Sequence, residues 1–145
     1  MELAQAGIKG IKLHPEFQLF TLDDPRMTEI WTACIEHNMF VITHAGADVS
    51  FDPPYKTSPE KIAEFHKSYP ELRLVVAHFG SWNMWDEVEK YLIGLPVYLD
   101  LGYTSGFISP ERMARMMRNH GIDKVFFGTD SPWRDQKADL DMVRA

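Results

Sequence analysis

Pro70-Glu71-Leu72-Arg73-Leu74-Val75-Val76-Ala77-His78 is a tight polar turn followed by an apolar, β-branched run that stops on a histidine. A run of this length and composition reads as a buried strand, and its last residue lies where strand opens into loop. The pattern recurs in Ile11-Lys12-Leu13-His14, Val41-Ile42-Thr43-His44 and Phe127-Gly128-Thr129-Asp130. Strands are predicted at residues 8–14, 40–45, 73–78, 97–102 and 125–130. Four of them end in a side chain that can hold a metal or move a proton.

Helical patterns separate the strands. Met27, Ile30, Trp31 and Cys34 follow the spacing of one buried helix face, as do Ile62, Phe65, His66 and Tyr69, and Met113, Met116, Met117 and His120. Asp24-Pro25, Ser58-Pro59-Glu60 and Ser109-Pro110-Glu111 each set a capping oxygen before a proline suited to a first turn. A weaker helix is expected over 85–92, and another opens at Lys137. Alternation at this spacing predicts an α/β fold with a parallel sheet in a single domain, 1–145.

The connections are unequal. Turns into strands are short, whereas loops leaving strands carry Phe17, Phe20, Phe51, Tyr55, Trp82, Tyr103, Phe107 and Trp133. Ligands of parallel α/β folds bind at the carboxyl ends of the strands, where those loops emerge. Two-residue alternation places Lys12 with His14, Ile42 with His44, Val76 with His78, Tyr98 with Asp100 and Gly128 with Asp130. If these pairs face inward, their apolar company disfavours bare charge and favours ion pairing or metal coordination.

Fifteen basic against twenty-one acidic residues give a net charge of −6 in 145 residues, which argues against nucleic acid as a partner. A single cysteine, Cys34, sits on a helical apolar stripe and reads as a small buried hydrophobe in a reducing compartment. No apolar run has membrane-spanning length and the N-terminus lacks signal-peptide regions, so a cytoplasmic location is expected.

Gly-Ile-Lys12-Leu-His14-Pro15, Thr43-His44-Ala-Gly46, the segment 70–80, Tyr98-Leu-Asp100 and Phe127-Gly-Thr-Asp130-Ser-Pro132 together resemble, in order and spacing, the fourth to eighth strands of the amidohydrolase-related metal-dependent hydrolases. That family includes the aminocarboxymuconate-semialdehyde decarboxylase type. The resemblance implies part of a (β/α)8 TIM barrel and one divalent metal ion, expected to be zinc. It also implies His44 and Asp130 as metal ligands and His78 as the histidine that works on water or substrate. The family's His-x-His pair on its first strand has no counterpart here. The chain is therefore expected to be a fragment lacking the first three βα units, with Met1 in the tail of one helix and Ala145 inside another. Five strands cannot close the barrel, which leaves open edges for pairing with a second chain or copy.

A divalent cation held by imidazole and carboxylate lowers the pKa of bound water toward neutrality. In hydrolysis of a small ester, lactone or amide-like substrate, Asp130 would take the water proton while His78 orients the carbonyl. The same scaffold also supports non-oxidative decarboxylation, which needs an anion clamp drawn from Arg134 or from residues of the missing βα units. A catalytically silent piece that pairs with another polypeptide is the reading from a different class. His14 is read as support behind the ligands or as a substrate contact. Lys12 is assigned an ion pair or substrate contact rather than a carboxylated metal bridge. Asp100 orients a histidine or caps its loop.

Trp133 and the other loop aromatics are read as anchors more than as stacking surfaces, and Arg134 as solvated unless it meets a substrate carboxylate. His37 and His120, near helix C-termini, are expected to favour the imidazolium form, and His66 to pack in a helix face. A TatD-like deoxyribonuclease is disfavoured by Lys12 on the fourth strand and by the acidic charge. An open doubly wound nucleotide-binding sheet lacks any Gly-rich phosphate loop.

Overall fold

The computed structural model describes residues 2–144; the expectations for Met1 and Ala145 fall outside the described residues. Five strands, β1 (Gly10–Leu13), β2 (Phe40–Thr43), β3 (Arg73–Val76), β4 (Tyr98–Asp100) and β5 (Val125–Phe126), form one parallel sheet in the order β1-β2-β3-β4-β5. Leu13 lies beside Thr43, Thr43 beside Val76, Val76 beside Leu99, and Leu99 beside Val125. A doubly wound sheet reverses its strand order at a switch point. This one runs in sequence order throughout, as a segment of a TIM barrel does.

The helices are α1 (Glu2–Gln5), α2 (Pro15–Gln18), α3 (Thr28–Glu36), α4 (Pro59–Ser68), α5 (Trp85–Tyr91), α6 (Pro110–His120) and α7 (Gln136–Arg144). A 3-10 turn, Pro25–Met27, leads into α3, and Asp24 caps it by accepting from the Arg26 backbone N–H at 2.9 Å. Ser109 caps α6 through the Arg112 N–H. Ser58 occupies the same position on α4, but its side chain makes no capping bond, so proline and backbone geometry alone start that helix.

One sheet face is the core. Val41, Thr43, Leu74, Val76 and Leu99 are almost wholly buried against α3, α4 and α5, with Trp31, Phe65, Ile62 and Val88 filling the layer. Trp31 satisfies its indole N–H on the Leu22 carbonyl at 3.0 Å, and Cys34 is buried on the same stripe. The opposite, concave face carries Phe40, Ile42, Arg73, Val75, Tyr98 and Phe126 around a cavity of about 460 Å³. Tyr98 and Phe126 stack there with ring centroids 5.2 Å apart.

Within β3 the strand alternates, Val75 facing the concave side and Val76 packing into the core, but the parity does not carry on to His78. His78 does not share a strand face with Val76. The strand ends at Val76, and His78, Phe79 and Gly80 all take left-handed backbone (φ 60, 55 and 88°), which swings the imidazole to the mouth of the sheet.

His120 departs from expectation as well. It is buried, its Nδ1 accepts the Gly94 N–H at 3.2 Å, and its Nε2–H donates to the Val97 carbonyl at 3.0 Å. Burial lowers its pKa below 6.5, outweighing the pull of the Val97 bond. The neutral folded form contributes stability above the unfolded value of 6.5 that is lost as pH falls toward the folded one. Thermal melts at pH 7 and pH 5 should show a smaller acid loss in His120→Gln than in the parent sequence. Equal losses would show that this imidazole takes up its proton without cost.

Candidate metal centre and active site

The loops that leave β1, β2 and β3 bring three histidines together. The His14 and His44 rings stack with centroids 4.0 Å apart and 11° between planes. His44 Nδ1 lies 3.0 Å from His78 Nε2, and His78 Nδ1 lies 3.0 Å from the Gly102 carbonyl. This chain of contacts fixes the protons of the neutral rings. A carbonyl only accepts, so His78 carries its proton on Nδ1 and offers a lone pair at Nε2; His44 then donates from Nδ1, and its Nε2 is left as a bare lone pair.

That His44 Nε2 is buried and has no hydrogen-bond partner. It faces the Asp48 Oδ2 at 4.0 Å, while the His14 Nε2 lies 3.4 Å from the same oxygen. Burial drives the His44 pKa down from 6.5 to about 3, with His78 and His14 adding to the fall and Asp48 opposing it. Burial also lowers His14, against Asp48. A buried lone pair beside a carboxylate, with no proton between them, is the donor set a divalent cation satisfies. His14, His44 and Asp48 each offer one ligand atom, all within 4.8 Å of one another. The residues present fit a metal ion.

A cavity of about 400 Å³ opens over this cluster. Lys12, His14, His44, His78, Asp130 and Trp133 all line it, with Phe17, Trp82 and Tyr103 on its walls. The sequence-predicted residues therefore meet at one mouth, apart from Asp100 and Arg134. Asp100 lines the concave cavity below, which Asp130 also borders. Its Oδ1 accepts the backbone N–H of Gly102 at 2.8 Å and of His78 at 3.2 Å, so it caps its own loop and orients the His78 backbone.

Arg134 is turned away from the cavity. It donates to the Ser105 carbonyl at 2.6 Å and to Ser105 Oγ at 2.8 Å, and its guanidinium lies over the Phe107 and Tyr103 rings. The solvated-arginine reading is overturned, because those loop acceptors and rings outcompete water. Lys12 stands open to solvent on the concave side, yet protein surrounds it closely enough to lower its pKa, against the attraction of Asp100 and Asp130. Asp130 is exposed and holds left-handed backbone at φ 57°.

Two residues were missed by sequence reading. Asp48 sits four places after His44, a His-x-x-x-Asp spacing that is the only local signal for it. Glu16, on α2, is buried and accepts both the backbone N–H and the ammonium of Lys56, tying the β1 exit to the long loop after β2. Nothing local distinguishes Glu16 from a surface helix acid.

Gly46 holds that loop against the next one. It takes φ 87°, and a Cβ there would meet Ser81 Oγ and come within 2.6 and 2.7 Å of the Trp82 backbone O and N. Backbone cannot yield as a side-chain tip can, so Gly46→Ala should cost more than about 2 kcal/mol and displace the His44–Asp48 segment. Denaturant unfolding measures this; an unchanged midpoint would mean the two loops separate freely.

The amidohydrolase family model matches residues 1–145, the whole chain. The chain belongs to the amidohydrolase family. Among solved structures, an uncharacterised TIM-barrel protein from Bordetella bronchiseptica is similar over 99% of this chain and 52% of its own, at 19% identity and a TM-score of 0.76. A 5-carboxyvanillate decarboxylase from Sphingomonas paucimobilis matches 99% of this chain and 54% of its own (13% identity, TM-score 0.72). A dihydroxybenzoic acid decarboxylase from Polaromonas sp. JS666, with bound manganese and 2-nitroresorcinol, matches 87% and 49% (14% identity, TM-score 0.58). This amidohydrolase chain thus spans about half the length of the solved structures it matches, and at these identities the likeness is one of fold. No protein of curated function matches it. No helix among its described residues is long and apolar enough to cross a membrane.

Proposed function

We propose that this amidohydrolase chain contributes metal ligands and a proton-transfer carboxylate to an enzyme that hydrolyses a small molecule. The observation that carries the reading is the buried, unpartnered lone pair of His44 Nε2 at the base of the cavity. A bound divalent cation, zinc being the expected one, would supply water of near-neutral pKa and polarise a substrate oxygen. His44 would hold that cation, and Asp130, exposed on the same cavity, is the carboxylate that binds it or accepts the proton of the attacking water. His78 fixes the His44 tautomer; to act directly on substrate, as the sequence suggests, its Nε2 must leave His44 Nδ1. Lys12 is the one lysine or arginine on the cavity lining and is suited to anchor a substrate anion or to pair with Asp130.

Non-oxidative decarboxylation is the second reading. It is favoured by the two decarboxylases whose folds this chain resembles and by Lys12, which replaces Arg134 as the candidate carboxylate anchor. Incubating the zinc- or manganese-loaded protein with panels of lactones, esters and amides, and separately with aromatic and aliphatic acids, distinguishes the two. Acid or amine release supports hydrolysis, and carbon dioxide release supports the second reading. A protein that binds neither metal and turns over neither panel would fit the silent partner of another chain.

A further inference from the structure

We propose that Asp48, on the loop after β2, is a direct ligand of the metal ion, beside His14 and His44; this rests on the metal-dependent reading above. Asp48 is held for that task from several sides. Its Oδ1 accepts the Ser50 N–H at 2.8 Å, and its backbone bridges to Phe51, so only Oδ2 is left to face inward. That oxygen is the one lying 3.4 Å from His14 Nε2 and 4.0 Å from His44 Nε2.

The His14 and His44 Nε2 atoms thus both lie within 4.0 Å of one carboxylate oxygen, and the stacked rings need only tilt apart for both in-plane lone pairs to meet one cation there. Tetrahedral ligands about 2.1 Å from a zinc ion stand roughly 3.4 Å apart; the His14–Asp48 separation equals this, while the His44–Asp48 separation of 4.0 Å exceeds it, so the three groups draw together around one shared cation. His44 is the independent witness: its side chain is 7% exposed and its Nε2 has no other partner. A buried bare lone pair and the partly exposed carboxylate it faces repel unless a cation lies between them.

The loop is also braced at fixed points. Gly46 N–H bonds the Thr57 carbonyl at 2.9 Å, Ala47 N–H bonds the Trp82 carbonyl at 3.2 Å, and Glu16 grips Lys56. Asp48 is thereby pre-set before any ion arrives, which is how a loop-borne ligand keeps its affinity.

Calorimetric titration of the purified full chain with Zn²⁺ alone tests the assignment. Asp48→Asn keeps the oxygen that Ser50 uses, so circular dichroism should be unchanged while the dissociation constant rises at least ~100-fold, beyond the ~10–100-fold typical of outer supporting residues. In the Co²⁺-loaded protein the visible ligand-field bands should shift between the parent sequence and Asp48→Asn. Asp48→Glu, which keeps the charge but moves the oxygens, provides a second folded variant and should also bind more weakly.

Undiminished Zn²⁺ affinity in Asp48→Asn, with His44→Ala impaired, overturns the role of Asp48 and leaves the metal-dependent reading intact. Absence of Zn²⁺ binding by the unmutated chain overturns both.

Discussion

Replacing His44 by alanine is expected to raise the Zn²⁺ dissociation constant by more than ~100-fold, exceeding the ~10–100-fold typical of groups that only support a ligand. The reasoning is local. His44 Nε2 is the sole ring nitrogen of the His44–His78 pair without a hydrogen-bond partner, and the Gly102 carbonyl, acting through His78, keeps that atom free of a proton. At about 3 its pKa lies far below neutrality, so cation and proton do not compete for it at pH 7. Because His44 stacks on His14 and satisfies no backbone group through Nε2, the variant should retain its secondary structure. Equal Zn²⁺ affinity in the two proteins, measured by calorimetry with circular dichroism as a folding control, would remove His44 from the ligand set.

The second large effect is expected at Asp130. Asp130→Asn should lower turnover by roughly 10³-fold, the range lost with a general base, and weaken metal retention, with little change in stability. Asp130 is exposed, and its amide analogue has the same size and shape. Asparagine also tolerates the left-handed backbone at φ 57°, whereas alanine would add strain. Comparing kcat and bound metal in the two proteins separates the roles. Loss of kcat at full metal content marks proton transfer, parallel loss of both marks ligation, and undiminished kcat would mean the carboxylate has been misassigned.

Much of this was legible because it is local. The segment 70–80 announces a strand by composition, and prolines one residue after Asp24, Ser58 and Ser109 announce helix starts. The aromatics crowded into exit loops mark the binding face without any structure. Parity failed just past β3, since alternation assumes extended backbone up to the last residue and His78 lies in a left-handed turn beyond the strand. His120 was misread for a related reason. A helix C-terminus favours a cation only where water or an acid can accompany it, and here the Gly94 N–H and the Val97 carbonyl already occupy both nitrogens.

By itself the sequence determined the kinds of group available, imidazoles at 14, 44 and 78 and a carboxylate at 130, and their places on segments that leave parallel strands. Residue type and period are properties of a short stretch of chain, so neither needed a fold to be read. Only tertiary structure decided which nitrogen is bare, that Asp48 rather than Arg134 turns toward the cluster, and that Lys12 stands alone as the lysine or arginine of the cavity. Those outcomes depend on where loops 24 or more residues apart come to rest against one another, as Gly102 does against His78 and Glu16 against Lys56. Distance and proton placement are set by that packing, and no local window of sequence contains it.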